Sequence, residues 1–141
     1  MKAVTREWLN RAEDDLAAAG LLLSQSQLTN LAAFHAQQAV EKVLKAVLEE
    51  SSGAAVKTHS LTRLYNLVES QMSVIDMDPD MLDRLEAVYI ESRYPGEMGL
   101  LPYGKPTQTD ASNFYDFAHQ LYKQVAAALE GTQGNDSPES T

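Results

Sequence analysis

Cysteine is absent from this 141-residue chain, which removes a disulfide framework, a thiolate nucleophile and thiolate metal sites from consideration. That absence fits a reducing compartment, and a cytoplasmic protein is expected. No uninterrupted apolar run approaches the length of a membrane span, and the opening MKAVTREWLNRAEDDL lacks the apolar core of a signal peptide. Basic charge is scarce: eleven Lys and Arg stand against twenty Asp and Glu, for a net charge of −9. A field of that sign repels polyanions and disfavours nonspecific DNA or RNA binding. Strand-like alternation and internal repeats are missing as well.

What is present is helical periodicity, in five patterns. The first covers about residues 6–24, with Trp8, Ala12, Leu16, Ala19 and Leu23 on one face and Thr5 as the expected N-cap. The second covers 31–50 behind Asn30, turns Ala36, Val40, Val43, Leu44, Val47 and Leu48 inward, and stops at Gly53. A short third helix opens after Ser60 and buries Leu61, Leu64, Leu67 and Val68. Asp78 caps the fourth, where Pro79 at the first helical position sacrifices no hydrogen bond; Leu82, Leu85, Val88 and Tyr89 form its face, and Pro95 ends it. The fifth covers 110–130 after a Thr109 cap, with Phe114, Ala118, Leu121, Val125 and Ala128 inward and Gly131 closing it. One domain over residues 1–130 is expected, large enough to bury a core unaided, followed by a disordered polar tail over 131–141.

Several short motifs resemble functional signatures and fail on inspection. GLLPYGK, residues 99–105, has the G-x-x-x-x-G-K core of a phosphate loop, but Pro106 stands where a magnesium-binding Ser or Thr is required. Asp76, Asp78 and Asp80 alternate like calcium ligands, but Met81 replaces the required Gly and Ala87 the bidentate Glu. His35, His59 and His119 lie in separate segments without metal-site spacing, so neither metal nor cofactor is expected. Lys42, Lys45, Lys57, His59 and Arg63 form a local basic enrichment, for which a solvated helix face is the simpler account. His35, Gln38, Lys42 and Lys45 form a polar stripe along the second helix. Arg93 and Tyr94 leave a helix end and enter the long loop over 96–109, which also holds Tyr103 and Lys105 and could close over a ligand. Arg offers a fork for phosphate and Tyr a ring for stacking. The alternative is that Arg93 satisfies its own helix end or pairs with Glu97.

Three segments in order, FHAQQAVEKVLKAVL, KTHSLTRL and YIESRYP within residues 34–95, resemble the HEPN (higher eukaryote and prokaryote nucleotide-binding) domain family, in its short single-domain prokaryotic form. The resemblance extends over about residues 5–130. It implies an all-α, up-and-down bundle of four to five helices, commonly a homodimer with a cleft between protomers. It also implies one of three roles: nucleotide binding, ribonuclease toxicity, or partnership with a minimal nucleotidyltransferase in a toxin–antitoxin pair.

The family's ribonuclease branch carries Arg followed after four to six residues by His, and no Arg here meets that spacing. After Arg93 the positions hold Met98, Gly99 and Leu100, and Arg6, Arg11, Arg63 and Arg84 fail likewise. No catalytic residue is therefore assigned. The expected function is binding of a nucleotide or similar small anion, with Arg93 and Lys42 on phosphate, His59 assisting, and Tyr94 or Tyr103 lining the base or ribose. The alternative is a metal-independent ribonuclease in which His35 or His59 supplies the acid–base group.

Overall fold

A computed structural model of the chain describes residues 1–52, 56–70, 77–94 and 105–135, the side chains of 132–135 excepted. Five α-helices and no strand occur among the described residues: α1 (Ala3–Leu22), α2 (Thr29–Ser52), α3 (Leu61–Glu69), α4 (Pro79–Arg93) and α5 (Gln108–Asn135). The fold is all-α, as the periodicity and the resemblance predict.

α2 is the axis of the bundle and packs against each of the other four helices. Its composition permits this: Ala32, Ala33, Ala36, Ala39 and Ala46 allow close helix approach on several sides, while Val40, Val43, Leu44, Val47 and Leu48 fill the remaining volume. α1 runs antiparallel to α2. Glu50, near the far end of α2, accepts from the Lys2 backbone N–H and from the Thr5 hydroxyl, each at 2.9 Å. α5 runs antiparallel to α1, since Arg6 meets Glu130 at 3.1 Å and Gln108 reaches the Leu23 carbonyl. The core joins Leu9, Leu16, Leu44, Leu61, Leu64, Leu85, Phe114, Leu121 and Val125 into one cluster.

Two helices start where expected, and both starts are capped. The Ser60 hydroxyl accepts from the Arg63 N–H, and the Asp78 carboxylate accepts from the Asp80 N–H with Pro79 behind it. Other boundaries are corrected. Lys2, not Thr5, holds the N-cap position of α1, and Thr5 is fully buried, its hydroxyl on Glu50. Asn30 lies inside α2, which starts at Thr29. Thr107, not Thr109, caps α5: its hydroxyl accepts from the Asp110 N–H at 2.9 Å and the Asp110 carboxylate accepts from the Thr107 N–H at 3.0 Å, a reciprocal capping box. α5 passes through Gly131 to Asn135, because glycine disfavours but does not forbid a helical interior. Leu67 is exposed, and Leu129 rather than Ala128 is buried on α5. Gly53, Asp76, Pro95, Glu97, Tyr103, most of the 96–109 loop and residues 136–141 of the expected tail lie outside the described residues.

Removing the Thr107 cap frees helical N–H groups at the α5 start, so Thr107→Ala is expected to cost about 1 kcal/mol, read as a fall of a few degrees in Tm. Burial alone would raise the Glu50 pKa, but the Lys2 N–H and the Thr5 hydroxyl hold the carboxylate below its ordinary value of 4.5. Its stabilising contribution is then present above that value and is lost as pH falls through the folded pKa. Urea melts across the acid range should show wild type losing more stability than Glu50→Gln.

Candidate functional site

Gln37, Glu41 and Lys45 follow one another at four-residue steps on α2, so they share a face. The Glu41 side chain is 4% exposed. A carboxylate so removed from water needs cationic partners. Lys45 supplies one, and a histidine donor shares the same oxygen: Lys45 Nζ and His59 Nδ1 each lie 3.0 Å from Glu41 Oε2. A carboxylate only accepts, so His59 donates from Nδ1, which leaves Nε2 available for other chemistry. The second oxygen, Glu41 Oε1, is buried without a hydrogen-bond partner, as is Gln37 Nε2 one turn earlier.

The segment bearing His59 is fixed from its other side by α4. Glu86, Tyr89 and Arg93 lie at i, i+3 and i+7, hence on one face of that helix. Glu86 Oε1 accepts from the Ser60 hydroxyl at 3.3 Å and from the Thr62 N–H at 3.2 Å, which docks the start of α3 on α4. One turn on, the Tyr89 ring stacks on His59 at a centroid distance of 5.3 Å and an interplanar angle of 21°. The Arg93 guanidinium lies 5.3 Å from the same ring. His59 is 53% exposed, and the Arg93 side chain makes no hydrogen bond or ion pair among the described residues, so an imidazole and a guanidinium flank one aromatic ring at the surface.

A cavity of about 420 Å³ opens beside His59. Its walls are Val4, Trp8, Leu48 and Val56, and Lys45, Glu49, Lys57 and His59 complete the lining. Lys45 connects the cavity to the buried acid, since its ammonium sits on Glu41 and 5.4 Å from the Trp8 ring centroid.

A second carboxylate–histidine–lysine cluster lies between α1 and α2. Asp15 receives His35 Nδ1 at 2.8 Å on one oxygen and Lys42 Nζ at 2.5 Å on the other. The polar stripe on α2 therefore divides: His35 and Lys42 face Asp15, Lys45 faces Glu41, and Gln38 donates to Gln37.

Of the residues expected in the site, His59 and Arg93 are brought together through Tyr89. Lys42 is paired with Asp15 instead. Tyr94 ends α4 with 62% of its surface exposed, and Tyr103 lies outside the described residues. Lys105 donates to the Gln27 carbonyl. Sequence reasoning did not single out Glu41 or Glu86, and it placed Trp8 and Tyr89 in the core faces of their helices. Glu41 and Tyr89 do lie within two of the segments that carry the family resemblance, and that was the available signal. Those three segments converge here: the first supplies Glu41 and Lys45, the second His59 and Ser60, the third Tyr89 and Arg93.

Among the described residues, no cluster of three or more His, Cys, Asp or Glu could hold a metal ion, and no helix is long and apolar enough to cross a membrane. No curated protein matches the chain. Among solved structures, the TT1696 protein of Thermus thermophilus is similar with a TM-score of 0.66 and 28% identity, over 86% of this chain and 95% of that one. ST0689, described as an archaeal HEPN homologue, is similar with a TM-score of 0.65 and 27% identity, over 92% and 99% of the two chains. The HEPN domain matches residues 5–128, and with that extent of agreement the chain belongs to the HEPN domain family.

Proposed function

We propose that this HEPN protein binds a nucleotide or a nucleotide-like anion at the surface where His59 and Arg93 meet on Tyr89. The observation that carries the reading is the convergence of an imidazole and an unpaired guanidinium on one tyrosine ring, beside a cavity large enough for a small ligand. Arg93 supplies a fork of donors for phosphate and His59 a second donor when protonated. Lys57, exposed at the cavity, adds a further positive group. Lys42 is left out, because Asp15 already neutralises it. Tyr94 adjoins Arg93 and has the exposed ring needed to line a base or ribose. Tyr103 retains that expected role on sequence grounds. The protein is read as cytoplasmic and homodimeric, and partnership with a minimal nucleotidyltransferase remains the family-based setting for such binding.

A second reading is favoured by one observation. The Glu41 carboxylate holds His59 by Nδ1 and leaves Nε2 free, which is the arrangement of an oriented general base or acid. With Arg93 nearby to stabilise a phosphorane-like charge, metal-independent RNA cleavage becomes chemically feasible without the Arg-x(4-6)-His spacing. The Asp15–His35 pair has the same orientation, but Lys42 rather than a free cation accompanies it.

A thermal-shift screen against adenine and guanine nucleotides tests the first reading. At about a hundred times its Kd a ligand adds roughly 2.7 kcal/mol, a rise of several degrees in Tm. Arg93→Ala is expected to abolish the shift while leaving the unliganded Tm near wild type, since Arg93 is exposed. An undiminished shift in the variant would remove Arg93 from the site. For the second reading, wild-type protein is incubated with structured RNA in EDTA. Cleavage lost in His59→Ala and retained in His35→Ala would establish the nuclease, and intact RNA would leave binding alone.

A further inference from the structure

We propose that the ligand is a mononucleotide whose base enters the Trp8 cavity and whose ribose is read by Glu49. The inference rests on the nucleotide-binding reading and specifies how the two ends of the ligand are divided. Val4, Trp8, Leu48 and Val56 give the cavity apolar walls. A phosphate placed among them would lose its hydration without compensation, whereas a flat, weakly polar base gains burial and ring contact. Of the basic lining residues, Lys45 beside Trp8 is already engaged by Glu41, whereas Lys57 and His59 are exposed and Arg93 follows beyond the Tyr89 ring. The ligand is thereby oriented, base inward and phosphate toward His59 and Arg93.

Glu49 fixes the middle. It lines the same cavity, and its carboxylate has no partner among the described residues; its backbone carbonyl, by contrast, accepts from Lys2 Nζ. A free carboxylate repels phosphate but accepts from neighbouring hydroxyls, and a vicinal diol is the group on a nucleotide that supplies them. The cavity volume suits one base with its sugar, and the net charge of −9 opposes a longer polyanion. Both favour a single nucleotide over a strand.

Trp8 is the sole tryptophan in the chain, so its emission reports on this cavity alone. Wild-type protein is titrated with the four ribonucleoside 5′-monophosphates, their 2′-deoxy counterparts and ribose 5-phosphate, following fluorescence and thermal shift in parallel. The expected result is a saturable loss of Trp8 emission with at least one ribonucleotide and no such loss with ribose 5-phosphate. Affinity is expected to be about tenfold weaker for the deoxy form, the loss of one charge-assisted hydrogen bond, and Glu49→Gln should remove most of that difference. A thermal shift without any change in emission would overturn the base assignment while leaving nucleotide binding intact. Equal affinity for ribo and deoxy forms would overturn the role of Glu49. Neither shift nor quenching with any nucleotide would defeat the binding reading itself, and this inference with it.

Discussion

Burying the Glu41 carboxylate is the constraint from which the site follows. Isolated in the bundle interior, such a charge would be destabilising by several kcal/mol, and α2 meets this by placing Lys45 one turn away. A single ammonium leaves much of the charge-assisted hydrogen bonding of a buried carboxylate unmet, and a second donor reaches the same oxygen. His59 arrives as the second donor from a segment eighteen residues distant. Once its Nδ1 is held, the imidazole plane is set, and Tyr89 can stack on it only if α4 presents that ring at the matching height. Glu86, one turn before Tyr89, provides the registration by capping the start of α3. The surface array of His59, Tyr89 and Arg93 is thus the outer end of a chain of contacts that starts from a buried acid.

The two carboxylate–histidine–lysine clusters have the same components, and their surroundings separate them. Asp15 has both oxygens engaged, one by His35 and one by Lys42, so its charge is matched within the α1–α2 interface. Glu41 has both donors on one oxygen and none on the other. His35 is 33% exposed and meets Phe34 edge-on, whereas His59 is 53% exposed and stacks in an array that ends in a cation with no carboxylate partner among the described residues. The first cluster is complete as an interhelical tie. The second retains unsatisfied capacity at its buried end and cationic capacity at its surface, which is why ligand chemistry is assigned there.

Much of the fold was legible in the sequence because local signals carry it. Ser60, Asp78 and Pro79 mark helix starts through contacts spanning two or three residues, and the apolar spacing of Leu61, Leu64 and Val68 survives in the core. The errors arise where a distant element decides. Thr5 has the chemistry of an N-cap, but Glu50 from the end of α2 claims its hydroxyl and draws it inside. Leu67 has an apolar side chain, but no described helix covers its side of α3. The pairing of Lys42 with Asp15 across twenty-seven residues was likewise beyond any periodic pattern, since periodicity assigns a residue to a face without naming what lies opposite. The family resemblance marked the proposed site more closely than residue chemistry did, because it rests on three segments whose convergence only the folded chain displays.

The overall charge and the local site act in opposite directions, and that opposition bears on specificity. A net charge of −9 lowers the rate at which any anion approaches, and the penalty grows with the number of phosphates the anion carries. Around His59, the exposed cations Lys57 and Arg93 act against this within roughly one Debye length, about 8 Å at physiological ionic strength. An anion of about the size of the cavity and its mouth experiences mainly that local field. A polymer extending past it encounters the acidic remainder of the surface. On the proposed reading, the same shortage of basic residues that disfavours nonspecific nucleic-acid binding would favour a small phosphorylated ligand over a polymer where His59, Arg93 and Lys57 lie.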